Sequence, residues 1–143
     1  MKNTLIVDTG YWYALLSKND QYHQRALEFT SVCTDKLITT WPVITETCYL
    51  LYNRCSIREV RRFLELSASD MFDIFQLEKN YMLRASVLMQ KYSDLPMDLA
   101  DASLVLLAEE LGHGRILSTD QRDFNSYRWK NHKPFENLLL PNE

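Results

Sequence analysis

The sequence predicts an α/β domain built on a central, mostly parallel sheet. Two observations carry this. Short β-branched runs at Thr4–Val7, Lys36–Thr39 and Arg115–Ser118 alternate with helix-length amphipathic or apolar segments, the pattern that makes parallel strands joined by helical crossovers. With only three Gly and four Pro in 143 residues, the chain is poor in turns and suited to long helices. That length is one domain, residues 1–143, large enough for a real core.

Taken in order, Thr4-Leu5-Ile6-Val7 reads as a buried first strand that stops at Asp8-Thr9-Gly10. A short helix is predicted from Tyr11 to Leu16, and a second, capped by Asp20, to about Ser31. The strand Lys36–Thr39 precedes a helix opened by Trp41-Pro42, where the missing proline N–H does no harm. That helix runs to about Asn53, with Val43, Thr47, Leu50 and Leu51 on one face and Glu46 near its start. Ser56 caps the next helix, whose apolar stripe is read as Ile57, Val60 and Leu64 and whose other face carries Arg58, Arg61 and Arg62. Met71–Leu77 alternates as a strand, and Glu78–Tyr92 is amphipathic and helical. Pro96–Leu111 holds a helix apolar on nearly every side from Ala102 to Ala108, ended by Gly112 and Gly114. After Arg115–Ser118, residues 121–143 are expected to form wrapping loops with one edge strand.

Composition narrows the function. The 46% hydrophobic and 24% charged fractions are those of a soluble globular protein, and no apolar run approaches the roughly 20 residues of a membrane span. The first ten residues lack the pattern of a signal peptide. Cys33, Cys48 and Cys55 are odd in number and lack a C-x-x-C pair, which fits a reduced cytoplasmic setting without disulfides or a zinc knuckle. A net charge of −3 gives no global attraction to nucleic acid, so phosphate binding must be local or work through a metal.

Four acids then stand out. Asp8 follows the first strand, Glu46 opens the helix after the second, Asp101 opens the apolar helix, and Asp120 follows the last strand by two residues. Each alone is an ordinary cap or turn residue. In a parallel sheet, however, ligands bind outside the carboxyl ends of the strands, and these four segments all start from that rim. Like charges in one crevice repel and call for a counter-cation. An all-carboxylate set selects hard cations, Mg2+ or Mn2+, and such a site points to phosphodiester cleavage. His23, His113 and His132 fall in no motif spacing with these acids.

The chain resembles the PIN-domain nucleases over essentially its whole length, and among them the small stand-alone VapC-type toxins. The resemblance rests on Asp8-Thr9-Gly10 after an apolar run, on Val43-Ile44-Thr45-Glu46, on Leu99-Ala100-Asp101-Ala102, and on Ile116-Leu117-Ser118-Thr119-Asp120-Gln121-Arg122-Asp123-Phe124. It implies a PIN-like (flavodoxin-like) three-layer α/β/α sandwich and a Mg2+- or Mn2+-dependent endoribonuclease. Carried over by motif, Asp8, Glu46, Asp101 and Asp120 are its catalytic, metal-holding acids and Thr119 the hydroxyl beside the fourth. Asp98 and Asp123 are extra carboxylates that can serve in an outer shell, or as a cap and a turn-fixing residue respectively. Members are often homodimers, and toxin members are inhibited by a small antitoxin protein. Arg58, Arg61 and Arg62 are either a solvated face or an RNA or partner contact. Tyr11, Trp12, Tyr13 and Trp41 flank two of the acids, as core, dimer-contact or base-stacking aromatics.

Rival readings fare worse. Asp8-Thr9-Gly10 is also an aspartic-protease signature, but that fold is almost wholly β. Aspartyl-phosphate phosphatases need an Asp where Gly10 stands. A receiver domain needs a Lys after its last strand. A PIN-like protein that binds RNA or a partner without a toxin role, and an RNA-processing nuclease, remain as alternatives.

Overall fold

The computed structural model describes residues 3–141. Its main sheet has five strands in the order β3-β2-β1-β4-β7, every pairing parallel. They are β1 (Thr4–Val7), β2 (Lys36–Thr40), β3 (Phe72–Phe75), β4 (Arg115–Leu117) and β7 (Glu136–Asn137). Helices α1 (Thr9–Leu16), α2 (His23–Val32), α3 (Trp41–Arg54), α4 (Ile57–Ser67), α5 (Met82–Lys91), α6 (Leu99–Leu111) and α7 (Gln121–Ser126) connect them, with a 3-10 turn at Lys79–Tyr81 and a small antiparallel pair, β5 (Arg128–Trp129) with β6 (Lys133–Pro134). In register, Ile6 lies between Ile38 of β2 and Ile116 of β4. Strand order reverses between β1 and β4, which makes their carboxyl ends the crevice where such sheets bind ligands.

The predicted elements from β1 to β4 are present, with boundaries moved by a few residues. α1 begins two residues before the predicted Tyr11, because the Asp8 carboxylate accepts the Thr9 N–H at 2.7 Å and starts the helix at once. Asp20 accepts the Tyr22 N–H in the preceding turn, so α2 begins only at His23. In α4 the buried face is Val60 and Phe63; Ile57 and Leu64, predicted to share the stripe, are 57% and 48% exposed. Phe63 sits three residues after Val60 and stacks against Phe72 of β3, so the larger ring sets which side turns inward. The tail is less irregular than expected. It holds α7, the β5–β6 pair and the edge strand β7. α7 is only six residues long and polar, which left no apolar period to read.

The core centres on α6, whose residues Ala102–Ala108 are all buried, as expected of a helix without a polar face. Ser103 is the polar residue within that buried stretch, and its hydroxyl is satisfied by the Ala100 carbonyl at 2.6 Å and by the Thr40 hydroxyl. Gly112 closes the helix in the left-handed conformation, φ 78°. Trp12, fully buried, packs on Phe63 and Phe72. The three cysteines are free thiols. Among the described residues no helix is long and apolar enough to cross a membrane.

Candidate active site

At the carboxyl ends of β1 and β4 lies a cavity of about 410 Å3, and its lining collects the four acids singled out in the sequence: Asp8, Glu46, Asp101 and Asp120. Asp98, Asp123 and Thr119 line it too, as does Asp20, which the sequence marked only as a cap. Arg54 is the single basic residue on the wall, and it lies over the Tyr13 ring. No histidine takes part.

Each acid is held by its own local structure. Asp8 is the residue where β1 becomes α1. It is 6% exposed; one oxygen accepts the Thr9 N–H and the other the Ser118 hydroxyl at 2.9 Å. Burial nonetheless pushes its carboxyl up to about 6, with the charges of Asp120 and Asp98 adding to the shift. Glu46 projects from the second turn of α3 and accepts the Thr9 hydroxyl at 2.5 Å. Burial first, then the neighbouring Asp98 carboxyl, push it up to about 7. Asp98 and Asp101 form a reciprocal capping box at the start of α6. Asp98 is therefore the cap its position suggested, and it faces the cavity as well. Asp101 also accepts the Tyr127 hydroxyl at 3.2 Å, yet burial and the charge of Asp8 push it up to about 8. Asp120 caps α7 through the Asp123 N–H at 3.1 Å, and burial raises its carboxyl, with Asp123 adding to the effect.

Two glycine- and hydroxyl-dependent details bring β1 and β4 this close. A Cβ on Gly10 would stand 1.9 Å from the Thr119 hydroxyl oxygen, so glycine there permits the approach of the two strand ends. Asn137 then clamps the β4 end: its amide donates to the Ser118 carbonyl and its oxygen accepts the Ser118 N–H. Ser118, Tyr127 and Asn137 were not picked out from the sequence. Ser118 lay within a recognised motif; Tyr127 and Asn137 lie in the tail, where no periodicity pointed inward.

Among the described residues, no three carboxylate, imidazole or thiol groups are arranged to hold an ion as they stand. The acids approach instead in pairs: Asp98 raises the proton affinity of Glu46, Asp8 that of Asp101, and Asp123 that of Asp120. Of the three arginines flagged on α4, Arg58 and Arg62 border a neighbouring cavity that also includes Arg54; Arg61 is exposed and lines neither cavity.

No protein-family model matches the chain. It is similar to Ribonuclease VapC26 of Mycobacterium tuberculosis, with 25% identity over 124 residues that cover 87% of this chain and 92% of the relative. Its fold superposes on the crystal structure of VapC20 of the same organism, described as a toxin that cleaves the sarcin-ricin loop, with a TM-score of 0.77 at 19% identity over 82% of this chain and 91% of that one. The chain has the VapC-type PIN-domain fold. In this fold the acid cavity sits at the strand reversal between β1 and β4, and its carboxylate and hydroxyl donors are all oxygens. Such a set fits a hard divalent cation that retains part of its water shell, and is a poor match for zinc or copper.

Proposed function

We propose that the chain is a metal-dependent endoribonuclease that hydrolyses phosphodiester bonds of RNA, and that it is the toxin of a toxin–antitoxin pair. The observation that carries this reading is the single cavity whose walls hold seven carboxylate residues against one arginine. Like charges gathered at that density, with raised proton affinities at Asp8, Glu46, Asp101 and Asp120, are explained by a divalent cation that replaces the protons. The similarity to a ribonuclease along most of both chains supports RNA as the substrate. The likeness in fold to VapC20 supports the toxin role.

Asp8, Glu46, Asp101 and Asp120 would hold Mg2+ or Mn2+, which supplies activation of water and stabilisation of charge on the leaving oxygen. The chain's own residues aim these ligands. Ser118 and the Thr9 N–H fix both Asp8 oxygens, Thr9 fixes Glu46, and Tyr127 fixes Asp101. Thr119, Asp98 and Asp123 act from the outer shell. The protein works in the cytoplasm as a homodimer and is held in check by a small antitoxin protein.

The test is cleavage of single-stranded RNA by the purified chain in Mg2+ and in EDTA, beside Asp8→Asn. Endonucleolytic products in Mg2+ alone, lost in the variant, are expected. RNA that binds without being cut would instead make the chain an RNA-binding protein.

A further inference from the structure

Beside the acid cavity lies a second one of about 320 Å3, where the end of α1 and the loop after it meet the end of α3 and the start of α4. Tyr13 and Arg54 belong to both walls, so the two cavities adjoin. The other charged residues of the second cavity are Lys18, Arg58, Arg62 and Glu59. Arg58 and Arg62 are four residues apart and share one face of α4, which is why both reach the cavity and Arg61 does not. The carboxylate is already engaged. Glu59 accepts the Ser56 hydroxyl, and that bond, with the charges of Arg58 and Arg62, holds it below the usual carboxylate range. Four cations thus face one anion, on a chain whose net charge is −3.

Arg54 is the informative member. It stands on the acid cavity's wall among seven carboxylate residues, yet among the described residues it forms no ion pair and donates no hydrogen bond. Its guanidinium lies over the Tyr13 ring, 5.6 Å from the centroid, a contact that uses the flat face and leaves the in-plane N–H donors open. Planar donors without a partner, at the border of an acidic and a basic cavity, suit an oxyanion that accepts two bonds at once. Along α3, Arg54 follows Glu46 by eight residues on the same face, about 12 Å along the helix axis. A cation therefore stands a short step along a strand from the carboxylates assigned to the metal.

We propose that this basic cavity is a phosphate subsite for the RNA strand, which holds the backbone beside the reacting phosphodiester, with Arg54 as the residue that aligns it. The proposal rests on the nuclease reading and adds the direction in which the substrate leaves the acid cavity. Bare carboxylates repel the reacting phosphate, so its approach depends on a bound cation. The flanking phosphate meets positive side chains directly and needs no metal. Contacts of this kind fix the register of a strand and carry no base preference.

The test uses the Asp8→Asn chain in Mg2+, so that binding is read without cleavage, and a single-stranded RNA octamer. The logarithm of its affinity should fall linearly with that of salt concentration, by about 0.7 per phosphate contact. Adding Arg54→Gln should weaken binding about tenfold or more, the range for a hydrogen bond to a charged group, and flatten the slope by about 0.7. Arg54→Lys should restore the slope and only part of the affinity, because an ammonium keeps the charge and loses the paired donors. Arg58→Gln with Arg62→Gln should flatten the slope by about 1.4. Lys130→Gln with Lys133→Gln removes as much charge from exposed positions of the β5–β6 hairpin and should leave the slope unchanged. An octamer with uncharged methylphosphonate linkages should bind weakly, and equally with or without the arginines. Unchanged affinity and slope in the arginine variants, or equal flattening by the two lysine changes, would overturn the proposal. So would an uncharged octamer that still loses affinity on Arg54→Gln. A glutamate octapeptide that binds as tightly as the RNA and weakens in the same variants would make the cavity a site for an acidic protein segment, and would overturn it too. Cleavage in Mg2+ by the chain with Asp8 intact is read separately. If it is absent, the nuclease reading fails whatever the binding shows; if it is present and Arg54→Gln cuts the octamer with unchanged KM, only the subsite fails.

Discussion

Replacing Asp8 with Asn should change the stability of the metal-free protein in a pH-dependent way. Asp8 is buried at the junction of β1 and α1, and its carboxyl titrates at about 6 in the fold against 3.8 for the free side chain. The folded state thus holds a proton more tightly than the unfolded chain. That difference favours folding fully below 3.8 and is lost as pH rises through about 6. It amounts to about 3 kcal/mol in all, at 1.36 kcal/mol per unit. At pH 5 roughly 1.4 kcal/mol of it remains, and at pH 8 almost none. Asn keeps the volume and can still accept the Thr9 N–H as a cap, but it weakens the bond from Ser118, at a cost of about 1 kcal/mol. It has no titration of its own. Stability of the variant relative to wild type should therefore rise by about 1.4 kcal/mol between pH 5 and pH 8, or about 5 °C in melting temperature for a domain of this size. Removing the Asp8 charge also relieves Asp101, whose carboxyl it pushes up, and this adds in the same direction. Thermal melts of both proteins in EDTA at the two pH values are the assay. A variant that melts below wild type by the same margin at both would show that Asp8 is a cap and no more, and would refute the electrostatic account of the cavity.

Three further outcomes are expected. Tyr127→Phe removes a donor that lowers the proton affinity of Asp101, so Mg2+ affinity should fall severalfold at pH 7, with the gap narrowing at pH 9; a gap that is constant with pH would contradict the role given to the phenol. Gly10→Ala forces a Cβ against the Thr119 hydroxyl and should cost about 1–3 kcal/mol in denaturant unfolding, most of it recovered in a Thr119→Ala background. Equal cost in both backgrounds would mean that the glycine serves another purpose. The exposed Tyr52, Leu83 and Val87 of α3 and α5 leave apolar surface uncovered, and sedimentation at tens of micromolar should give the mass of two chains; a monomer would contradict the homodimer.

Much of the architecture was legible because periodicity and chain punctuation agree. TLIV, KLIT and RILS are too short and apolar to be surface helices, and each runs into a polar residue that starts the next helix. The strand-end rule then put Asp8, Glu46, Asp101 and Asp120 on one rim from spacing alone, and they line one cavity. Less legible was anything decided by contacts across the fold. Nothing local to α4 says that Phe63, and not Ile57 or Leu64, turns inward; its partner Phe72 lies on β3. Tyr127 and Asn137 hold the site from a tail without an apolar period, through hydrogen bonds to residues 26 and 19 positions away. Asp20 looked like a helix cap because its bond to Tyr22 is of that kind, and only the closed fold turns it toward the cavity.

The central claim is that these carboxylates are gathered to bind a divalent cation. Calorimetric titration of Mn2+ into the metal-free chain at pH 8, beside Asp101→Asn, tests it most directly. Saturable binding to wild type is expected, accompanied by proton release as the raised carboxyls give up their protons, with affinity lower by tenfold or more in the variant. No binding by wild type, or equal binding by the two proteins, would contradict it.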